Sequence, residues 1–222
     1  MDKQGVNIGF SGVDRTRLYK QALVLAKITV FYNIIEGLVS IGLGLDDETL
    51  ALFGFGVDSF VEVISGIGIW HMIRRINTMP SSGSPDAFEK TALRITGGAF
   101  YLLTAGLILS AGVNVYGGHR PETTFWGIVI SLVSILTMGA LIYFKLRVGR
   151  ALNSDAIIAD ANCTKTCLYL SFILLAASLG YALTGIGGLD AMGALAIAIF
   201  SFREGRESYE KAKGKTCSCG CH

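Results

Sequence analysis

Residues 50–73, LALFGFGVDSFVEVISGIGIWHMI, stay apolar for the length of a lipid bilayer and are broken by two acids, Asp58 and Glu62. A membrane-spanning helix needs about 20 predominantly apolar residues, so this stretch is long enough to cross. Residues four apart share a face of a helix. Asp58 and Glu62 therefore present two carboxylates to one point near the middle of the span, and ionisable groups at that depth mark ion pathways.

Working outward, the same window finds further spans near 22–45, 91–114, 123–144, 154–181 and 188–208. The connectors are short and polar: Asp46-Asp47-Glu48, Asn77 to Lys90, Tyr116 to Glu122, Lys145 to Asn153, and Thr184 to Gly188. None is long enough to separate a second folded unit. The expected fold is an all-α membrane protein, a six-transmembrane-helix bundle over 22–209, with a cytoplasmic N-terminal segment 1–21 and a flexible cytoplasmic Cys/His-rich tail 210–222. Composition agrees, since 51% of residues are hydrophobic, 16% are charged and 28 are glycine, with a mean hydropathy of +0.53. A soluble core would not need so much apolar sequence. The first residues carry Asp14, Arg15, Arg17 and Lys20 with no apolar run of the kind a secretory leader needs, so no removable leader is read there.

Lysine and arginine set the expected orientation, because short cytoplasmic loops retain positive charge. Of the 19, all but Arg120 and Lys165 fall in the N-terminal segment, the second and fourth connectors, the C-terminal segment, or the helix ends beside them. Both termini are thus expected on the cytoplasmic side of a multi-pass protein of the plasma (cell inner) membrane. The net charge of +2 is accounted for by topology and gives no reason to expect a nucleic-acid partner. The lipid bilayer is the first partner implied.

The five cysteines do not form a secreted disulfide framework. Cys163 and Cys167, in NCTKTCL, repeat the four-residue spacing on the fifth span, while Cys217, Cys219, Cys221 and His222 crowd the tail KGKTCSCGCH. In the expected topology the second span runs outside to inside and the fifth inside to outside, with both pairs near mid-depth. Four ligands then converge, and the two halves of the chain have the inverted arrangement from which transporters build midplane sites. Two carboxylates and two thiols make a tetrahedral shell suited to Zn²⁺, with Cd²⁺ as its softer relative. Magnesium and calcium want oxygen throughout. The metal is cargo, and no prosthetic group is called for. Because the ligands must be deprotonated to bind metal, protons are the natural coupling ion for metal/proton antiport by alternating access.

Other readings remain open. A Cu⁺ exporter would use the thiols, a non-transporting membrane sensor or scaffold would use the tail, and an intramembrane thiol enzyme would cycle Cys163 and Cys167. Asp58 and Glu62 also suit a water-filled crevice or a neighbouring helix, and buried cysteines often serve as small hydrophobes. The tail cysteines and His222 chelate soft metal or belong to an unstructured or lipidated end. Asn33 and Glu36 share a face of the first helix, lining the pathway or bonding between helices. Asp155, Asp160 and Asn162 lie on the cytoplasmic half of the fifth helix as an inner vestibule, with a helix cap as the plainer role for Asp155, and Asp190 reads as an N-cap. Gly97, Gly98, Ala105, Gly106, Ala111 and Gly112 suit close packing within the bundle or between protomers.

Three stretches carry a family resemblance: FGVDSFVEVISG (55–66), DAIIADANCTKTCLYLS (155–171) and GGLDAMGALAIAIFSFREG (187–205). From about Leu18 to Tyr209 the chain resembles the membrane domain of the cation diffusion facilitator family. The resemblance implies a six-helix bundle that exports divalent metals, usually Zn²⁺, in exchange for protons, commonly as a homodimer. The family's ligand positions on helices two and five fall on Asp58, Glu62, Cys163 and Cys167. Two cysteines in place of the commoner histidine and carboxylate shift the expected preference toward softer ions. Members usually continue into a cytoplasmic metal-binding domain, where this sequence has only its tail, so the resemblance implies a homodimer held through the transmembrane helices.

Overall fold

A computed structural model describes residues 12–46, 49–78, 87–117, 125–186 and 188–213; within these, the side chains at 12–15, 65, 69, 72, 76–78, 87–89, 92, 114, 115, 155, 156, 159, 163 and 211 lie outside the description. Among the described residues the chain forms six helices: α1 (Gly12–Asp46), α2 (Leu50–Thr78), α3 (Ala87–Gly117), α4 (Phe125–Leu152), α5 (Asp155–Thr184) and α6 (Gly188–Ala212). Helices satisfy every backbone group within the segment, which is what a chain in hydrocarbon requires. Five of the six are long and apolar enough to cross a membrane. The sixth falls short of that hydropathy because its second half carries Arg203, Glu204, Arg206, Glu207 and Glu210.

Apolar side chains cover the outside of the bundle as well as filling its core, and small hydroxyl residues are buried between the helices. Leu102, Leu109, Leu136 and Ile199 point outward, whereas Ser40, Thr96, Ser131, Ser134, Ser171 and Ser201 are buried. Lipid is as apolar as leucine, so helix association in a membrane rests on close packing and interhelical hydrogen bonds rather than on hiding apolar surface. Glycine permits that approach at two crossings. A Cβ on Gly37 of α1 would lie 3.0 Å from the Gly56 carbonyl oxygen of α2, and one on Gly97 of α3 would lie 3.0 Å from that of Gly205 of α6. Gly97 thus packs within the chain. Ala105, Gly106 and Gly112 face outward on α3.

The packing makes α2 the hub: it touches α1, α3, α5 and α6, while α1 also packs on α4, α3 on α6, and α5 on both α4 and α6. Two apolar layers close this assembly. One gathers Leu52 and Phe55 of α2, Leu103 and Leu107 of α3, Leu170 and Leu174 of α5, and Ile197 of α6. The other gathers Ala22 and Ala26 of α1, Ile73 of α2, Val148 and Leu152 of α4, and Ile157 of α5. Between them along α2 lie Asp58 and Glu62, and between them along α5 lies Cys167.

Three local features depart from the sequence reading. The fourth connector shrinks to Asn153 and Ser154, because α4 continues to Leu152. A hydropathy window stops at the first lysine, but Lys145, Arg147 and Arg150 are good helix formers, and basic residues suit a helix C-terminus. Asn153 closes the helix with φ of 49°, the left-handed conformation that asparagine tolerates, and Ser154 N–H donates to the Gly149 carbonyl at 3.0 Å. Lys145, counted as a connector charge in the orientation argument, is instead buried and paired with Asp160 of α5 at 3.0 Å. Asp190, expected to cap its own helix, accepts hydrogen bonds from the Leu50 and Ala51 N–H groups at 2.9 and 3.2 Å. It caps α2 from the first turn of α6, since the apolar start of α2 offers no carboxylate of its own.

Candidate metal site

The four-residue spacing on α2 places Asp58 and Glu62 a turn apart on the side of the helix that meets α1, α5 and α6. Asp58 is buried at 2% exposure and accepts a hydrogen bond from Ser201 Oγ of α6 at 3.4 Å. Glu62 Oε2 accepts from Asn33 Nδ2 of α1 at 3.1 Å. The same oxygen is in very close contact with Cys167 Sγ of α5. One carboxylate oxygen thus ties three helices together. Cys167 itself is buried against Met138 and Leu141 of α4.

A third acid joins from α1. Glu36 is buried and accepts from Tyr32 OH at 2.9 Å and from Ser59 Oγ of α2 at 3.2 Å. A fourth comes from α6, where Glu204 accepts from Thr166 Oγ1 of α5 at 3.0 Å. Asn33, Glu36, Asp58, Glu62, Glu204 and Cys167 therefore form one polar layer across α1, α2, α5 and α6. Its described contacts run to hydroxyl, amide and thiol groups, and among the described residues no basic side chain pairs with Glu36, Asp58 or Glu62.

The expected site residues distribute as follows. Asp58, Glu62 and Cys167 occupy the layer, and Glu62 touches Cys167 directly. The side chain of Cys163 lies outside the description; its backbone is in α5, one turn before Cys167. Among the described residues no three His, Cys, Asp or Glu side chains close to metal-holding geometry. Asp58 turns to the Ser201 hydroxyl and Glu36 to Tyr32 and Ser59, each acid taking the nearest neutral donor. Asn33 and Glu36, proposed from sequence as pathway residues, both lie in the layer. Asp160 does not: its carboxylate is 3.0 Å from Lys145 Nζ, which also donates to Thr164 Oγ1 at 2.9 Å. Asn162 accepts from Lys165 Nζ at 2.9 Å. The Asp155 side chain and the tail residues Cys217, Cys219, Cys221 and His222 lie outside the described residues.

Sequence reasoning missed Glu204, Ser201, Tyr32 and Ser59. A signal existed for two of them: Ser201 and Glu204 are three apart where the apolar half of α6 gives way to its charged half, a spacing that shares a face. Tyr32 and Ser59 carry no such mark, because a hydroxyl in a span is ordinary until its acceptor is known.

The model of the cation efflux transmembrane domain matches residues 26–212, nearly the whole bundle and all of the polar layer. The chain belongs to the cation efflux family. The resemblance read from the three quoted stretches is thereby established, and the protein stands among cation efflux transporters, a multi-pass class whose substrate is an ion. No curated protein matches the chain. The matched region thus contains the layer of carboxylates, an amide and a thiol that lies between the two apolar layers.

Proposed function

We propose that this cation efflux protein exports a divalent heavy metal, Zn²⁺ first and Cd²⁺ second, from the cytoplasm in exchange for protons. The observation that carries the reading is the contact of Glu62 with Cys167 across α2 and α5, within a layer that also holds Asp58. A carboxylate and a thiolate in contact form a mixed hard and soft donor pair, the kind Zn²⁺ accepts. Asp58 and Cys163 complete the tetrahedral set in this proposal. The oxygens of Glu36 and Asn33 nearby weigh against Cu⁺, which gains little from hard donors.

Metal entry displaces the protons that the ligands carry, and proton return on the far side releases the metal. Both termini face the cytoplasm of a plasma-membrane protein, the assembly is a homodimer through the helices, and Cys217, Cys219, Cys221 and His222 gather metal for the pathway. Purified protein in liposomes tests this: Zn²⁺ flux should require an opposing pH gradient and be lost in Asp58→Ala and Cys167→Ser. Unchanged flux of every metal in both variants would refute the site.

A further inference from the structure

Asn33 on α1 has an unusual hydrogen-bond account. Its residue is 1% exposed, its Nδ2 donates to Glu62 Oε2 at 3.1 Å, and among the described residues nothing donates to its Oδ1. The amide orientation follows from chemistry: a carboxylate is an acceptor, so the nitrogen donates to Glu62 and the oxygen of the same amide is left without a donor. A buried acceptor without a partner is costly. The nitrogen of the same amide sits on the carboxylate that also touches Cys167, and Asn33 lies one helical turn from Glu36. An amide oxygen in such surroundings has an obvious partner in a cation.

We infer that Asn33 is a substrate ligand: its Oδ1 joins the four donors of α2 and α5 as a fifth, so the first helix also contributes to the site. The inference rests on the proposed metal site at Glu62 and Cys167 and adds to it a hard oxygen donor. That donor offsets the softness of the thiols. It biases the site toward Zn²⁺ over Cd²⁺, since the amide oxygen contributes more to the harder ion. It also gives α1 a direct stake in the cargo, so that displacement of α1 against α2 makes or breaks a metal bond.

The test uses the full chain, purified in detergent and in liposomes, with Zn²⁺, Cd²⁺ and Mn²⁺ as probes. Metal affinity is read by competition with a chelating dye, and flux is read separately. Asn33→Ala should weaken Zn²⁺ binding about tenfold, within the range that partners around a metal site carry, and weaken Cd²⁺ less. Asn33→Asp keeps an oxygen but no longer donates to Glu62, and should hold Zn²⁺ as tightly as the parent or more tightly. If Asn33→Asp loses as much affinity as Asn33→Ala, the residue merely positions Glu62 and the inference fails. It fails equally if Asn33→Ala binds all three metals like the parent while Asp58→Ala does not, an outcome that leaves the underlying site intact. Parent-like binding and flux in Asp58→Ala would overturn the site and the inference together. Should Asn33→Ala not fold, as judged by gel filtration and thermal unfolding, the isosteric Asn33→Asp decides alone.

Discussion

Two regions of the bundle bury charge, and they solve the problem in opposite ways. Where α4 turns into α5, Lys145 and Asp160 neutralise each other at 3.0 Å, and Thr164 takes a further proton of the ammonium group at 2.9 Å. In the middle of the bundle, Glu36, Asp58 and Glu62 are served by Tyr32, Ser59, Ser201, Asn33 and Cys167, none of which is cationic. The first region is electrostatically complete. The second concentrates acids on neutral donors, and burying carboxylates without a counter-charge is expensive unless protons or a metal ion compensate. The difference is one of role: a closed ion pair holds helices together, whereas among the described residues Glu36, Asp58 and Glu62 have no basic partner, which is why the proposed site is placed there.

The largest expected effect breaks the second region. Asp58→Ala should remove metal-dependent flux, a loss beyond the roughly 100-fold that outer partners of a metal site carry; liposome uptake with a metal panel checks it. Next comes the ion pair. Lys145→Met leaves Asp160 buried without its cation and should cost about 3 kcal/mol of stability, whereas the double change Lys145→Met with Asp160→Leu should recover most of that. Thermal unfolding in detergent measures both, and a change in metal preference in the folded double variant would contradict the contrast between the regions.

A smaller effect is expected from Ser201→Ala, which removes the hydroxyl at 3.4 Å from Asp58. It should shift metal affinity by about 1 kcal/mol at most, the usual net worth of a hydrogen bond, and equilibrium competition with a chelating dye reads it. Asp190→Ala, far from the acids, should lower stability by about 1 kcal/mol through loss of the cap on α2 and leave metal affinity at the parent value. The smallest effect is expected from removing Cys217 to His222: a modest rise in the metal concentration that half-saturates transport, with maximal flux retained. Unchanged transport across a metal titration would count against a loading role for the tail.

Much of this was legible in the chain. The helices were legible because hydrocarbon tolerates only a narrow set of backbones, so apolar length alone specifies them. Asp58 and Glu62 were legible because carboxylates inside an apolar span have few alternative explanations. Lys145 reads as a connector residue by hydropathy alone, which weighs a lysine without knowing that Asp160 stands opposite. Asp190 was read as a cap for its own helix because sequence proximity is the only proximity a sequence offers, and the N–H groups it serves are those of Leu50 and Ala51. Glu204 went unnoticed among the charges of a polar helix end, although it enters the layer through Thr166.

The sequence by itself determined the class of protein, the number of helices and their apolar middles, and the acids that lie within them, since each follows from local composition and the cost of polarity in lipid. Which acids meet which donors was decided only by the tertiary structure. The Glu62 to Cys167 contact, the Asn33 amide beside it and the Lys145 to Asp160 pair all join residues on different helices. Their partnership depends on how each helix is rotated about its axis and how deeply it is set, and glycine-mediated packing fixes those quantities in three dimensions.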